Sequence, residues 1–395
     1  MCRITGFWDL NYRGDYGLET TVDKMNQTLK HGGPDEQDFY VDNQRHLALA
    51  SCRLAILDLS PLGHQPMFSD DRKISLVFNG EIYNFEEVKR ELEGLGFNFK
   101  SHSDTEVIIK AYQKWGIACL EKFRGMFAFA LFDQNLEKLF IVRDRVGVKP
   151  LYYFWDKNLL MFASETRAFH QHPLFKKEVN PDGVAAFFQF GYIPYPLSIW
   201  QNVQKLEPGC YLTFSIQEGL KIQRYWDLQD YYLKGLSDSS PISREQALIQ
   251  LEEVLTDSFK LRLVSDVPVG IFLSGGIDSS IVTALLQKEM KNPLRTFTIG
   301  FGDQEYDEAR YAKEIAKYLG TNHTEMDCTQ KEALEIVPSL PEIYDEPFGD
   351  SSAVPTFLIS KLAHSQVKVV LSGDGGDEFF AGYDKYWNAK ILQAL

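Results

Sequence analysis

A chain of 395 residues, 44% hydrophobic and 24% charged, exceeds what one ordinary hydrophobic core accommodates, so two domains are expected. Its formal charge of -14 argues against polyanionic partners such as nucleic acid. No run approaches the roughly 18 to 20 uninterrupted apolar residues of a membrane span, and Asp9 and Asn11 interrupt the N-terminus before a signal-like apolar region can form. The cysteines Cys2, Cys52, Cys119, Cys210 and Cys328 are scattered, with no CxxC pair and no metal-like cluster with histidine. A reducing, cytoplasmic setting and small-molecule chemistry are the expectation.

The chain opens on "MCRITGFWDL". If Met1 is removed, Cys2 carries a free α-amine beside its own thiol, and an amine of near-neutral pKa can generate the nucleophilic thiolate. Position two can equally be whatever follows the start codon, so the rest of the chain must decide. Residues 1 to about 228 show short apolar runs separated by turns: "HLALASCRLAILDL", "ISLVFNGEIYNF", "GMFAFALFD", "KLFIVRD", "PLYYFW" and "CYLTF". They predict strands of largely antiparallel sheets. Helices are expected around "TTVDKMNQTLKHGG" and "SDTEVIIKAYQKWG", the second opened by a capping box of Ser103 and Glu106. This first half reads as α+β.

A polar stretch, "LQDYYLKGLSDSSPISREQ", predicts a linker over 229–243. From 244 onward, helical periodicity ("REQALIQLEEVLTDSFKLRL") alternates with the buried-strand runs "VGIFLS", "RTFTIGF" and "VKVVLS". That alternation predicts βαβ units on a parallel sheet. Between the first of these strands and the next helix lies Ser274-Gly275-Gly276-Ile277-Asp278-Ser279-Ser280. Glycines let backbone approach a phosphate, the serines add hydroxyl donors, and the helix N-terminus offers free N–H groups. The Gly-Lys-Ser/Thr ending of a Walker loop is absent, and Asp278 makes sense in an anion site only with a cation such as Mg²⁺ between carboxylate and phosphate. The segment resembles the PP-loop of the ATP pyrophosphatases. A second loop, "VKVVLSGDGGDEFFAGY", places Ser372 and Gly373 after a strand, followed by Asp374, Asp377 and Glu378. Ligands sit at the carboxyl ends of parallel strands, so two such loops reinforce one another.

Cys2, "HGGPD", "RLAILDLSPLGHQP", "FNGEIYN", "SDTEV", "GMFAFALFD", "RDRVGVKPLYY", "FASE", "SGGIDSS" and "LSGDGGDE" occur in that order. From end to end the chain resembles the glutamine-hydrolysing asparagine synthetases. The resemblance implies an N-terminal nucleophile glutaminase domain of stacked antiparallel sheets between helices over 1–228. It also implies an α/β PP-loop ATP pyrophosphatase domain over 244–395. Cys2 would attack the glutamine amide and release ammonia, which travels inside the protein to aspartate activated by ATP as β-aspartyl-AMP. Asn79 and Gly80 match the oxyanion hole, although Asn-Gly is also a hairpin turn signal. Arg53 matches the holder of the substrate α-carboxylate, with Ile56 and Leu57 giving backbone contacts; Asp104 matches the partner of the substrate ammonium, and Glu81 completes the pocket. Asp104 also suits the first turn of a helix for its charge alone.

In the second half the resemblance sets Phe272 and Ile299 against adenine and ribose, although apolar strand ends are also ordinary core. It sets Ser372 and Gly373 near the α-phosphate, with Ser274, Gly275, Gly276, Ser279 and Ser280 in the ATP loop. Asp278 and Asp377 fall on Mg²⁺ and pyrophosphate, and Asp374 among the catalytic positions. "DEPFGDSSAVPT" matches a segment shaping the acceptor side, where Asp345 and Glu346 can also simply cap a loop. Gly32 stands where the family usually has arginine, which bears on the glutamine pocket or on coupling rather than on the reaction class. Family members continue well beyond the second glycine loop, so a fragment or a split gene product is expected, with a homodimer or a partner chain completing the synthetase domain. Three functions stay open: asparagine synthesis, amidation of another carboxylate on a sugar or peptide, and a non-catalytic subunit with a retired site.

Overall fold

The computed structural model describes residues 2–237, 242–300, 308–386 and 388–389. The chain divides into two compact units, Met1–Ser239 with Pro341–Asp350, and Ser240–Leu340 with Ser351–Leu395.

The first unit carries twelve strands: β1 (Arg3–Asp9), β2 (Glu36–Asp42), β3 (Leu47–Arg53), β4 (Met67–Phe68), β5 (Ile74–Ile82), β6 (Gly125–Asp133), β7 (Lys138–Arg143), β8 (Tyr152–Trp155), β9 (Leu159–Ala163), β10 (Val203–Lys205), β11 (Cys210–Ser215) and β12 (Gly219–Arg224). They form two six-stranded sheets, ordered β10-β8-β9-β1-β3-β2 and β12-β11-β7-β6-β5-β4, with every pairing antiparallel. Ile4, Trp8, Leu49, Val77, Ala130, Ile141, Phe162 and Leu212 meet between the sheets in one apolar layer. On the outer face of the second sheet, Leu76, Phe78, Phe127 and Phe129 pack against the helices Phe85–Gly94 and Asp104–Trp115. The first sheet's outer face is covered by the helix Leu18–Gln27 through Val22 and Met25, and by the turn at Ala168 and Phe169. The result is a four-layer helix–sheet–sheet–helix stack. Both faces of each sheet are covered, so runs such as "GMFAFALFD" are apolar at consecutive positions rather than alternate ones.

The second unit carries β13 (Val269–Phe272), β14 (Arg295–Gly300), β15 (Asn322–Asp327) and β16 (Val369–Leu371), in the order β15-β14-β13-β16 and all parallel. The βαβ reading is therefore realised as a four-stranded sheet with helices such as Ile277–Glu289 between strands. Its buried apolar groups form small clusters, one around Ile271, Val282, Leu286 and Leu294, another around Phe297, Ala363 and Val367.

One expectation is corrected, and the structure adds detail at two other places. Leu228–Ser237 within the expected linker is helical, although it buries no residue, and positions 238–241 lie outside the described residues. Ser103 does cap its helix, accepting from the Thr105 N–H at 3.2 Å, but Glu106 does not complete the box. Its carboxylate reaches past the cap to the Ser101 N–H (2.7 Å), the Ser101 hydroxyl (2.6 Å) and the Lys100 N–H (3.1 Å), because the Ser101 donors are buried and need an acceptor. Finally, Pro341–Asp350 packs within the first compact unit. Asp345 accepts the N–H groups of Thr166 and Arg167, and Glu346 accepts from the Ile199 N–H (2.8 Å), the Tyr152 hydroxyl (3.1 Å) and the Lys205 ammonium (2.7 Å).

Candidate active site

Strand periodicity explains how five separate segments converge. Side chains alternate between faces, and Ile4, Leu49, Val77 and Phe162 point between the sheets, so Cys2, Arg53, Asn79, Glu81 and Ser164 share that inner side at strand ends. β1 pairs with β3 through Arg3↔Cys52 and with β9 through Thr5↔Ala163, which sets the starts and ends of these strands side by side. The Cys2 sulfur accepts the Leu54 N–H at 3.2 Å, directly after Arg53. Burial pushes the Cys2 thiol up, an effect the Leu54 hydrogen bond partly opposes. The thiol therefore holds its proton at neutral pH, and a base must take it as the sulfur attacks.

Asn79 is fully buried and Gly80 follows it on β5, where a Cβ would lie 2.2 Å from the Met126 carbonyl oxygen. Only glycine fits there. The Asn79 amide nitrogen lies 3.3 Å from Ser164 Oγ. Asp104 is buried at the first turn of its helix, where it accepts the Ile82 N–H at 2.9 Å, and burial lifts its carboxyl to about 6. Glu81 is raised well above the ordinary range, by burial first and by Asp104 second. Two carboxyls crowded in one pocket suit an incoming ammonium.

Arg53 is buried, and its guanidinium is already braced: one nitrogen by Glu36 at 3.1 Å, another by the carbonyls of Leu57 (3.0 Å) and Asp58 (2.6 Å). The Leu57 carbonyl thus holds the arginine, and the neighbouring loop is fixed by the Ala55 N–H donating to Asp35 of the "HGGPD" motif at 2.9 Å. His31 of the same motif meets Glu165 at 2.9 Å, and Glu165 also pairs with Arg3 at 2.6 Å and Arg167 at 2.8 Å. Burial works to raise Glu165, but His31 and Arg3 outweigh it and hold the carboxyl at about 2. This charged bracket anchors the residue next to the thiol.

Reading by motif did not single out two residues of this site, Lys149 and Ser164. Lys149 is fully buried; burial pulls its ammonium down to about 8, while the nearby Glu81 and Cys2 act the other way. The signal for both lay in "RDRVGVKPLYY" and "FASE", whose polar residues sit at the ends of strand-like runs.

The second unit brings its two glycine loops together. β13 and β16 are neighbours with Ile271 opposite Leu371, so "SGGIDSS" and "SGDGGDE" leave the same sheet edge. A Cβ on Gly373 would lie 2.9 Å from the Ser279 N, and one on Gly376 would lie 2.4 Å from Asp278 Oδ2. Gly275 is in the left-handed region at φ +86°, which turns the chain from strand to helix. Ser274 Oγ meets Ser279 Oγ at 3.0 Å, and the Ser280 hydroxyl donates to the Gly276 carbonyl at 2.6 Å. Ser372 donates to Asp374 at 2.8 Å. Asp278 is raised by burial first, then by the charges of Asp377 and Glu378. Among the described residues no group of three His, Cys, Asp or Glu is preformed as a metal cage. Phe272 is half-buried against the Phe297 cluster, and Ile299 is half-buried on β14.

The first unit is thus a layered antiparallel sandwich with a thiol at a strand start and polar groups converging beside it. Residues 1–226 match the glutamine amidotransferase domain family and residues 250–394 the asparagine synthase family. The chain belongs to the glutamine-hydrolysing asparagine synthetase family. It is 40% identical, over 98% of its own length and 76% of the relative's, to a protein of Methanocaldococcus jannaschii provisionally named glutamine-hydrolysing asparagine synthetase 2. It is 34% identical over 93% of its length to glutamine-hydrolysing asparagine synthetase 1 of Bacillus subtilis, and 32% over 99% to number 3 of the same organism. The chain spans 56% and 64% of those two Bacillus proteins. No helix among the described residues is long and apolar enough to cross a membrane.

Proposed function

We propose that this chain hydrolyses glutamine at Cys2 and directs the ammonia to aspartate activated by ATP, yielding asparagine, AMP and pyrophosphate. The observation that carries the reading is the gathering of Cys2, Asn79, Arg53, Glu81 and Asp104 at one end of the sandwich, on a chain whose second unit also joins two phosphate-type loops. Asp104 and Glu81 bind the glutamine ammonium and Arg53 its carboxylate. As Cys2 Sγ attacks the amide carbon, its proton passes to the α-amine of the mature N-terminus. The carbonyl oxygen becomes negative and is held by donors from Asn79 and the Gly80 N–H. The α-amine then protonates the departing nitrogen, ammonia leaves, and water hydrolyses the thioester to glutamate and free thiol.

In the second unit the backbone of 274–276, the hydroxyls of Ser279 and Ser280, and Ser372 with Gly373 hold the ATP phosphates. Asp374 belongs to the same loop and faces the reacting groups. The chemistry of the donor set fits Mg²⁺: Asp278 is crowded by Asp377 and Glu378, a strain that a divalent cation relieves, and Mg²⁺ typically takes only one or two carboxylates beside substrate phosphates. Asp278 and Asp377 would hold it, and the ion would neutralise charge on the pyrophosphate. The aspartate β-carboxylate attacks the α-phosphorus, pyrophosphate leaves, and ammonia then displaces AMP from the acyl carbon.

The test is product analysis on the protein with a mature Cys2 N-terminus, supplied with glutamine, aspartate, ATP and Mg²⁺. Glutamate, AMP, pyrophosphate and labelled asparagine are expected. ADP and phosphate in place of AMP and pyrophosphate would refute the ATP chemistry, and no glutamate would refute the thiol.

A further inference from the structure

One group next to the nucleophile strand stands out as incompletely paired. Asn79 Oδ1 is buried and has no hydrogen-bond partner among the described residues. Its amide nitrogen faces Ser164 Oγ at 3.3 Å, yet that oxygen already accepts the Ile4 N–H at 3.0 Å. The Ser164 N–H in turn donates to the Ile4 carbonyl at 2.9 Å, so both main-chain groups of Ile4, two residues from Cys2, are tied to Ser164. Ser164 itself is fully buried.

A serine hydroxyl has one hydrogen and two lone pairs. With the amide nitrogen facing it, Oγ spends both lone pairs on N–H donors, its own hydrogen is left over, and Asn79 Oδ1 stays orphaned. Amide oxygen and nitrogen have nearly the same shape, and the network decides which way the group turns. Rotated by a half-turn, the amide presents Oδ1 to the Ser164 hydroxyl, which donates to it, so the oxygen and the hydroxyl hydrogen are both paired. The same rotation frees Nδ2 on the opposite side, and an oxyanion hole requires that donor rather than the oxygen.

We infer that Ser164 is a positioning residue: its hydroxyl, pinned by Ile4, donates to Asn79 Oδ1 and holds Asn79 Nδ2 toward the carbonyl oxygen of glutamine. The inference rests on the proposed thiol chemistry at Cys2 and adds the group that sets the polarity of its oxyanion hole. Asn79 and the nucleophile strand then share one brace, so the donor and the sulfur move together.

The experiment compares Ser164→Ala, Ser164→Thr, Asn79→Ala and the double variant Ser164→Ala/Asn79→Ala in the whole chain. The readouts are kcat and KM for glutamine hydrolysis, and the rate at which iodoacetamide alkylates Cys2. Alkylation needs the thiolate but builds no negative oxygen. Losing one oxyanion donor costs roughly a hundredfold to a thousandfold in kcat, and Ser164→Ala is expected to lose at least about tenfold of that with KM within about twofold. Alkylation should keep its wild-type rate, Ser164→Thr should recover most of kcat, and the double variant should be no slower than Asn79→Ala, since the serine acts only through the asparagine. Additive losses, or an alkylation rate that falls in step with hydrolysis, would overturn the inference and make Ser164 a prop for the strand. Wild-type kcat in Ser164→Ala would overturn it as well. Separately, glutamine hydrolysis surviving Cys2→Ala would remove the underlying reading, whatever the serine does.

Discussion

The two units place their chemistry on different kinds of support. In the first, the proposed reactive groups stand at the ends of largely buried strands, and several are braced: Arg53 by Glu36 and two carbonyls, Cys2 by the Leu54 N–H, with its neighbour Arg3 held by Glu165. In the second, Ser274, Ser372 and Asp374 are exposed on loops above small apolar clusters. Preorganisation of the first kind suits an attack that must meet an oxygen at the moment it becomes negative. Exposed loops with hydroxyls and crowded carboxylates suit a highly charged ligand that completes the site on arrival.

The sharpest way to break the comparison is to remove the thiol. Cys2→Ala should lower glutamine hydrolysis by about three orders of magnitude or more, as loss of a nucleophile does elsewhere. Synthesis from added ammonium, measured as pyrophosphate release, should persist. Equal loss of both activities would mean that the two units do not act separably.

The reverse cut is Gly376→Ala. The added Cβ would sit 2.4 Å from Asp278 Oδ2 and push the two loops apart. A displacement of about an ångström costs on the order of a hundredfold in a positioned reaction, so ATP-dependent pyrophosphate release should drop by about that factor while glutamine hydrolysis stays at its wild-type rate. Retained pyrophosphate release would show that the loops do not act as a pair.

Asp104 tests the cost of preorganisation. An unfolded chain gives up this proton near the ordinary carboxylate value, but the folded chain keeps it until about 6. The folded state therefore binds more protons in that window, and stability falls as pH rises through it. Asp104→Asn keeps an acceptor for the Ile82 N–H and removes the charge. It should stabilise the protein by about 1–3 kcal/mol at pH 7, a gain that fades toward pH 4. The same change should raise KM for glutamine by about ten- to a hundredfold through the lost charged contact. Denaturant melts at the two pH values and steady-state kinetics read both effects; a destabilised variant at pH 7 would contradict the buried-charge account.

Much of this was legible in the sequence, for physical reasons that also mark where legibility ends. Strands covered on both faces are long apolar runs, so "GMFAFALFD" and "ISLVFNGEI" are readable on sight. The glycine loops are readable because few sequences combine a strand, Ser-Gly and a helix start. Leu228–Ser237 was not readable as a helix because it runs into the polar, Gly- and Ser-containing stretch that reads as a linker; its apolar positions Leu228, Tyr231, Tyr232 and Leu236 follow helical spacing, yet the helix buries no residue. Ser164 and Lys149 are single polar residues beside apolar runs, and their role depends on burial that neighbours distant in sequence create. The placement of Pro341–Asp350 is likewise a long-range event: Asp345 finds two free N–H groups at Thr166 and Arg167, which no local pattern announces.

That docked segment gives the finest test of where the first unit ends. Glu346 is 8% exposed at its side chain and pairs with Lys205, 16% exposed, at 2.7 Å, while also accepting from the Ile199 N–H and the Tyr152 hydroxyl. Glu346→Gln keeps an acceptor for two of these three donors and removes the counter-charge of Lys205. Because the lysine retains some access to water, the expected loss is about 1 kcal/mol rather than the several of a sealed ion pair. In calorimetry of the whole chain the transition that carries the first sandwich should shift downward by a few degrees, on the order of what 1 kcal/mol moves a domain of this size. Glutamine kinetics should hold within about twofold, since none of the three donors touches the site around Cys2. A shift confined to the second unit's transition would return Pro341–Asp350 to the ATP-binding half, and the contrast between a braced site and a loop-built one would then have to be drawn without it.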